Sequence, residues 1–186
     1  MAEPDPGPAS LPGLRPAPVP SPVDAVLDQR RRDLLSRLGQ RADSSGTTVL
    51  WSGDVPAGDG RPTRVGMVAV PQPAGSVVVA ALHGRDDGTA GTCAPGVLPA
   101  GPPLDRLAVA LPCDLGGPSS RLLVVGPPGD DVLRLLDADG VLLEERPMDD
   151  GVAMVAPPGR LATVQVRTAD GRILLARTPA PLALGD

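Results

Sequence analysis

The sequence contains no phenylalanine, no tyrosine and a single tryptophan, Trp51, among its 186 residues. Aromatic side chains ordinarily supply large parts of the apolar area that a fold buries, so the core must be built from valine, leucine and alanine. Small aliphatic residues suit thin sheets that pack face to face. Hydrophobic residues still make up 41% of the chain, which favours a folded protein over a disordered one.

Lysine is absent, every basic residue is arginine, and the formal net charge is -5. This balance argues against a nucleic-acid partner, because phosphate binding requires a basic face. Residues 1–20 contain no apolar run that resembles a signal peptide, and nothing approaches the roughly 20 apolar residues of a membrane span. Two cysteines and one histidine are too few for a structural zinc site. We therefore predict no metal, no cofactor and no direct membrane span in this chain.

Two segments of the chain are repeated. Pro-Pro-Gly occurs at 127–129 and 157–159, and Ala-Asp-Gly occurs at 138–140 and 169–171. Each Asp-Gly pair lies between apolar runs, which is a strong hairpin signal because glycine accepts the positive φ of a tight reversal. Two copies are too few for a solenoid, so the repeat predicts paired hairpins within one domain.

The chain from residue 47 to residue 178 predicts short strands rich in valine and leucine, separated by glycine and proline. Such strands favour an antiparallel arrangement over a parallel sheet, which would need helical crossovers. The predicted fold is mainly β, an antiparallel β-sandwich or partly open barrel. A disordered Pro-rich arm (1–21) and an amphipathic helix with its connector (22–46) precede it, and a disordered tail (179–186) follows. The predicted strands are 48–53, 63–71, 76–83, 107–112, 121–126, 131–137, 141–146, 151–156, 161–168 and 172–177.

One helix is predicted, over residues 22–38. Ser21 can cap its start, Pro22 suits the first helical position, and Asp24 completes a capping box, while Gly39 can end the helix. Within it, the three arginines at 30–32 could contact an anionic lipid or nucleic acid. Flanking aspartates partly neutralise them, which favours a solvated helix face. An apolar stripe at helical spacing comprises Val23, Val26, Leu27, Leu34, Leu35 and Leu38.

The longest irregular stretch runs from residue 84 to residue 103. A loop of this length is usually functional or disordered unless a bond holds it in place. A disulfide between Cys93 and Cys113 would hold the loop in place and would add about 3 kcal/mol to the free energy of unfolding by the chain-entropy model. Such a bond indicates an oxidising compartment, so we predict an extracytoplasmic location, at the cell surface or associated with a membrane. The alternative is a pair of free thiols in a cytoplasmic protein.

No catalytic residue is assigned from the sequence, because nucleophile motifs are missing. His83, Arg85, Asp86 and Asp87 form a candidate contact loop at the end of an apolar run. The paired carboxylates elsewhere fall mostly in predicted turns. Trp51 is expected either to plug an aromatic-poor core or to form an exposed contact, and the core is favoured.

Several motifs carry a resemblance to a known group. They are Val-Leu-Trp-Ser-Gly at 49–53, Gly-Arg-Pro-Thr-Arg-Val at 60–65, Leu-Asp-Ala-Asp-Gly-Val at 136–141 and Met-Asp-Asp-Gly-Val-Ala at 148–153. Over roughly residues 21–178 the chain resembles uncharacterised actinobacterial membrane-anchored β-rich ectodomains, which follow a single span and a Pro-rich linker. The resemblance implies an extracytoplasmic β domain and transfers no functional residue.

Three functional hypotheses follow. The first is a non-enzymatic extracytoplasmic β-sandwich, displayed on a flexible Pro-rich linker, that binds an unknown protein or cell-envelope component. The second is a hydrolase-like enzyme without a familiar motif, which uses His83 and a nearby aspartate. The third is a cytosolic structural protein that pairs with a partner through the helix at 22–38.

Overall fold

The fold is taken from a computed structural model that describes residues 23–40, 47–56, 61–72, 75–99, 107–115 and 120–182. The predicted helix and all ten predicted strands are present, with ends within three residues of the predicted ones. The predicted arm at 1–21 and the connector at 41–46 lie outside the described residues. The elements are α1 (Val23–Arg37), β1 (Thr48–Pro56), β2 (Pro62–Pro71), β3 (Val77–Gly84), β4 (Ala90–Thr92), β5 (Gly96–Leu98), β6 (Ala108–Cys113), β7 (Arg121–Val125), β8 (Val132–Leu136), β9 (Leu142–Pro147), β10 (Val152–Val155), β11 (Thr163–Arg167), β12 (Ile173–Arg177) and β13 (Ala180–Pro181).

The first sheet has the strand order β1-β2-β3-β5-β13, and β4 also pairs with β3. Its long central strands are buried on both faces, because one face contacts the helix and the other contacts the second sheet. This explains why β2 and β3 read as continuous apolar runs instead of alternating ones. β1 is a terminal strand of this sheet and carries an irregularity in register between Val49 and Trp51.

The second sheet has the order β10-β7-β6-β12-β11-β8-β9 and curls into a nearly closed barrel. One face of β6, β7 and β10 packs on the first sheet, through residues such as Leu111, Leu123 and Val152. The opposite face of the same strands packs on β8 and β11 across the barrel interior, through residues such as Ala110, Val124 and Val155. These three strands, which we call the shared wall, therefore belong to two hydrophobic cores.

The prediction of a mainly β fold with antiparallel sheets is confirmed. The fold combines a sandwich of two sheets with a second sheet that is itself barrel-like. Within the described residues one contact is parallel, where β12 meets β6 over two residue pairs. The described residues between these two strands, which are distant in sequence, contain no helical crossover.

The repeated Asp-Gly segments form adjacent hairpins, as predicted. β8 and β9 turn at Gly140, β11 and β12 turn at Gly171, and the two hairpins join through the antiparallel pair β8–β11. Both glycines have a positive φ, 78° and 84°. In the first turn the Asp137 carboxylate accepts the backbone N–H groups of Asp139 and Val141 at 3.0 and 2.9 Å, which fixes the reversal.

α1 lies across the outer face of the first sheet, with Val23, Leu27 and Leu34 packed on β2 and β3. It ends as predicted at Gly39, where Gly39 N–H donates to Ser36 O and the following N–H donates to Leu35 O. The predicted cap Ser21 lies outside the described residues. Asp24 lies beside the guanidinium of Arg64 on β2, 3.4 Å away.

Three short strands are absent from the prediction. β4 and β5 lie within the stretch from 84 to 103 that the sequence marks as irregular, and β13 lies beyond residue 178, where a disordered tail is expected. β5 pairs with β3 and β13 pairs with β5. These strands are too short and too rich in glycine and proline to have a periodic signal, and pairing with distant residues defines them.

Candidate functional site

A groove of ≈ 520 Å³ opens where the sandwich ends, between β1 of the first sheet and β10 of the second. Each of these strands is the last in its sheet. No strand covers the core between them within the described part of the chain, so core residues Val55 and Val152 reach the groove wall. The described residues that line it are Trp51, Ser52, Gly53, Asp54, Val55, Arg146, Pro147, Asp149, Asp150, Val152, Ala153 and Met154.

The one aromatic residue of the protein, Trp51, lies in this groove. Its side chain is half-buried and packs against the core, together with Met154 from the opposite strand. The indole lies over Gly53 on the same strand, and a Cβ placed on Gly53 would be only 2.5 Å from Trp51 Cζ2. Glycine at position 53 therefore permits the ring to lie flat on the strand. The two interpretations of Trp51 made from the sequence both apply in part, because the ring covers the core and lines a surface groove.

The rim of the groove opposite β1 is a tight turn between β9 and β10. Asp149 and Val152 exchange two backbone hydrogen bonds of 2.9 Å. Between them, Asp150 and Gly151 both have positive φ, 47° and 74°. Positive φ at both central residues is the type I′ geometry, for which Asp-Gly is a preferred pair. The turn thus presents two adjacent carboxylates on a short, well-defined support.

Charges along the groove are predominantly negative. Among the described residues that line it, Asp54, Asp149 and Asp150 are acidic and Arg146 is basic. Arg146 is already hydrogen-bonded to Glu144. Arg64 lies 3.3 Å from Asp54 and also pairs with Asp24 on α1. One guanidinium therefore faces two carboxylates, and this group keeps a net negative charge. The groove therefore has an acidic rim around an apolar floor.

The predicted contact loop is divided by the structure. His83 is 9% exposed and lies under the backbone of β4, where a Cβ on Gly91 would be 2.6 Å from His83 Nε2. Asp86 and Asp87 are exposed at the tip of the β3–β4 hairpin. There the Asp87 carboxylate accepts the N–H of Thr89 at 2.9 Å, which lowers the pKa of Asp87.

Arg85 links this hairpin to other segments. Its Nε donates to the Thr63 hydroxyl at 2.9 Å and its guanidinium donates to the carbonyl of Leu115 at 2.7 Å. Burial lowers the pKa of His83, and the charge of Arg85 lowers it further. The carboxylate whose charge acts on His83 is that of Asp114, whereas Asp86 and Asp87 are turned to solvent. The geometry thus supplies no His–Asp pair from these residues.

The predicted disulfide is present: Cys93 and Cys113 are bonded, with their Cα atoms 4.5 Å apart. Cys93 lies between β4 and β5 of the first sheet, and Cys113 ends β6 of the second. Both side chains are buried in the core between the sheets. The bond therefore ties the two layers of the sandwich together.

A buried carboxylate lies at one end of the barrel. Asp131 is 3% exposed; its Oδ1 accepts the N–H of Ala169 at 3.1 Å, while its buried Oδ2 has no hydrogen-bond partner. Burial raises the pKa of this carboxyl, and neighbouring Asp170 and Asp130 add to the effect. No group of three or more metal-binding side chains surrounds it or occurs elsewhere in the described ranges.

A second groove of ≈ 580 Å³ lies between the C-terminal half of α1 and the β5 region. It includes Arg30 and Arg37 together with Asp33. The other members of the predicted arginine triplet are engaged on the helix surface, since Arg31 pairs with Asp28 and Arg32 donates to Gln29. None of the described helices is long and apolar enough to cross a membrane.

The groove between β1 and β10 is not among the sites predicted from the sequence. Trp51 is distinctive there only as the one aromatic residue, and Asp149 and Asp150 only as carboxylates in a predicted turn. The signal available in the sequence is an Asp-Gly turn like those of the two repeats. Comparisons with protein-family models, curated proteins and solved structures give no match for this chain.

Proposed function

We propose that this protein is a non-enzymatic, extracytoplasmic binding module whose ligand site is the groove between β1 and β10. The observation that carries the proposal is the core that no described strand covers at this end of the sandwich, with the one tryptophan of the chain in the groove wall. Tryptophan is enriched among the residues that dominate binding energy. Because Gly53 lets the ring lie flat, the contact surface is formed before a ligand arrives.

The proposed location rests on the disulfide. A disulfide persists in oxidising compartments and is rare in the cytoplasm. The resemblance to membrane-anchored ectodomains, inferred from the sequence, agrees with this location. The test is to trap free thiols in the cells that make the protein and then measure alkylation by mass spectrometry. We expect neither Cys93 nor Cys113 to be labelled without reductant, and two labelled thiols would contradict the proposed location.

The competing cytosolic hypothesis requires the helix at 22–38 to pair with another protein. In the structure Leu27, Leu34 and Leu35 of this helix are buried on the chain's own sheet. A partner could reach these side chains only after α1 had left the sheet. The exposed surface of α1 is polar, so the groove is the better candidate for a binding site.

The groove can be tested with a display library of random linear peptides that contain no tryptophan. Peptides selected on the wild-type protein should change the emission of Trp51, which is the only aromatic reporter in the chain. Substitution of Trp51→Ala should weaken their binding about 10-fold or more, as for a hot-spot residue.

Leu175→Ala provides a matched control, because it removes an exposed apolar side chain on β12, which does not line this groove. It should leave affinity unchanged. Circular dichroism and thermal unfolding establish that each variant is folded. Peptides that bind wild type and Trp51→Ala equally would place the site elsewhere, and failure to select any groove-dependent peptide would contradict the proposal.

A further inference from the structure

In the part of the chain that the structure describes, β1 has an open backbone edge at the groove. The hydrogen bonds of β2 show which residues of β1 form this edge. Gln72 N–H donates to Ser76 O at 2.8 Å, which marks a hydrogen-bonded pair between β2 and β3. Hydrogen-bonded pairs alternate along an antiparallel ladder. The even-numbered residues 64 to 70 of β2 therefore bond to β3, and the odd-numbered residues 63 to 69 bond to β1.

The register between β1 and β2 then assigns the outer edge of β1. Trp51, Gly53 and Val55 lie opposite odd-numbered residues of β2 and bond to that strand. Ser52 and Asp54 turn their N–H and C=O groups in the opposite direction, towards the groove. A terminal strand with such an edge is a template for an added strand.

The opposite wall of the groove, formed by β10, has few free backbone groups and contributes mainly side chains. Gly126 N–H donates to Gly151 O at 2.8 Å. Residue 151 and every second residue after it on β10 therefore form their backbone hydrogen bonds with β7. Val152 is engaged with Asp149 in the tight turn. Of the β10 backbone, Met154 alone is left facing the groove, so β1 provides the longer edge.

The faces of β1 determine which side chains an added strand needs. Trp51 and Val55 point towards the core, so the added side chains on that face meet an apolar surface. Asp54 points to the other face, where it lies near Arg64. The carboxylates of Asp149 and Asp150 add negative charge at the rim. Charge complementarity therefore favours a partner strand with apolar residues alternating with basic ones.

The same charges act against pairing between two copies of this chain. A second β1 would bring its own Asp54 near the first one, and like charges opposite each other are destabilising in a sheet. Charged residues, proline and irregular register are the usual protections of an edge. β1 has all three, but Pro56 and the shift at Val49 to Trp51 lie outside the open stretch from Ser52 to Asp54, where the charge of Asp54 is the protection.

We infer that the groove binds an extended peptide segment with alternating apolar and basic residues, which pairs antiparallel with β1. The inference rests on the proposed function and specifies its ligand. Side chains directly opposite each other in an antiparallel pair share a face. The basic residues therefore lie beside Ser52 and Asp54 and exchange backbone hydrogen bonds with them, while the apolar residues enter the groove.

The test uses the full chain and an acetylated, amidated peptide of alternating valine and arginine, with Trp51 emission as the readout. We expect binding that weakens as salt is added. A peptide with glutamate in place of arginine should bind at least about 10-fold more weakly. Methylation of the arginine backbone nitrogens should also cost about 10-fold, since two hydrogen bonds to β1 are lost, while methylation of the valine nitrogens should be tolerated.

Paired charge-removing variants locate the site. Asp54→Asn with Asp149→Asn removes two charges, one of them on the face that the basic residues occupy, and it should weaken binding about 5-fold. Asp86→Asn with Asp87→Asn makes the same change at the β3–β4 hairpin tip and should leave affinity unchanged. The reverse result would assign binding to the contact loop and overturn the inference.

The outcomes separate this inference from the proposed function. If the glutamate peptide or both methylated peptides bind as well as the parent, strand addition by a basic segment is wrong, although a ligand in the groove still supports a binding module. If none of these peptides changes Trp51 emission but library peptides do, the inference again fails alone. A dimer seen by light scattering without peptide, and abolished by charge reversal at Asp54, would replace the peptide with a second copy.

Discussion

At the residue scale, the side chains of Trp51 and His83 are both supported by glycine. Trp51 lies over Gly53 of its own strand, and His83 lies over Gly91 of the neighbouring strand. Glycine in a strand loses side-chain packing, and a ring that covers it restores part of that contact. The two positions thus have the same packing, but Trp51 faces a groove whereas His83 is buried.

The burial of His83 predicts a dependence of stability on pH. Its pKa in the folded protein is lowered, chiefly by burial and then by Arg85. Below the ordinary histidine value of 6.5 the unfolded chain therefore binds the proton more readily, and stability falls as the pH falls. His83→Gln should flatten this part of the profile.

The measurement is urea unfolding between about pH 5 and 7, the range in which an ordinary histidine titrates. The chain contains one histidine, so no other imidazole contributes. Asp131, whose pKa is raised, is present in both proteins and cancels in the difference. Equal slopes for wild type and His83→Gln would contradict the assignment of the effect to His83.

Sequence patterns carry little information about which residues meet at the groove. Trp51 stands out as the one aromatic residue, and Asp149 and Asp150 as carboxylates in a turn. Their proximity depends on β1 and β10 being the terminal strands of two different sheets. Alternation along a strand indicates its buried face, but it does not state which strand lies opposite.

At the scale of elements, local chemistry is sufficient to predict the helix and the hairpins. α1 has an apolar stripe and a glycine stop, and the two repeats have Asp-Gly reversals. Each signal acts within a few residues, so it can be read from the sequence alone. β4, β5 and β13 have no such signal, because each is defined by its pairing with another strand and not by its own residues.

The hairpins predict a contrast between two glycines. Gly171 has φ 84°, and a Cβ there would meet no atom within 4 Å. Gly171→Ala should therefore destabilise by about 1 to 2 kcal/mol through backbone conformation alone. Chemical denaturation measures this change, which should appear as a lower midpoint without a change in slope.

Gly159 is the matched control. A Cβ added there would also meet open space, but the φ of this glycine is not in the left-handed region. Gly159→Ala should be neutral or stabilise by up to about 1 kcal/mol, because it restricts the unfolded chain. Similar losses at both positions would show that the turn conformation is not the cause.

At the scale of the whole molecule, the disulfide connects two layers whose shared core consists of apolar side chains. Cys93 and Cys113 are 20 residues apart in sequence. A loop of this size corresponds to about 3 kcal/mol in the chain-entropy model. The double variant Cys93→Ala with Cys113→Ala should lose about this much free energy of unfolding.

Reductant provides the comparison for this prediction. Adding it to the wild-type protein should lower the urea midpoint towards that of the double variant, and the variant itself should not respond. A wild-type midpoint that is unchanged after complete reduction, verified by thiol titration, would contradict the stabilising role of the bond. The pairing is predictable from sequence because only two cysteines are present and one lies in the long irregular stretch.

The shared wall has a consequence for dissection of the protein. β6, β7 and β10 contribute side chains to the sandwich core with one face and to the barrel interior with the other. Removing either half would expose one whole face of these strands to water. A fragment that ends at β5, or one that begins at β6, therefore lacks a covering that its strands require. The two cores should melt together in one transition, and truncated versions for binding studies should retain both.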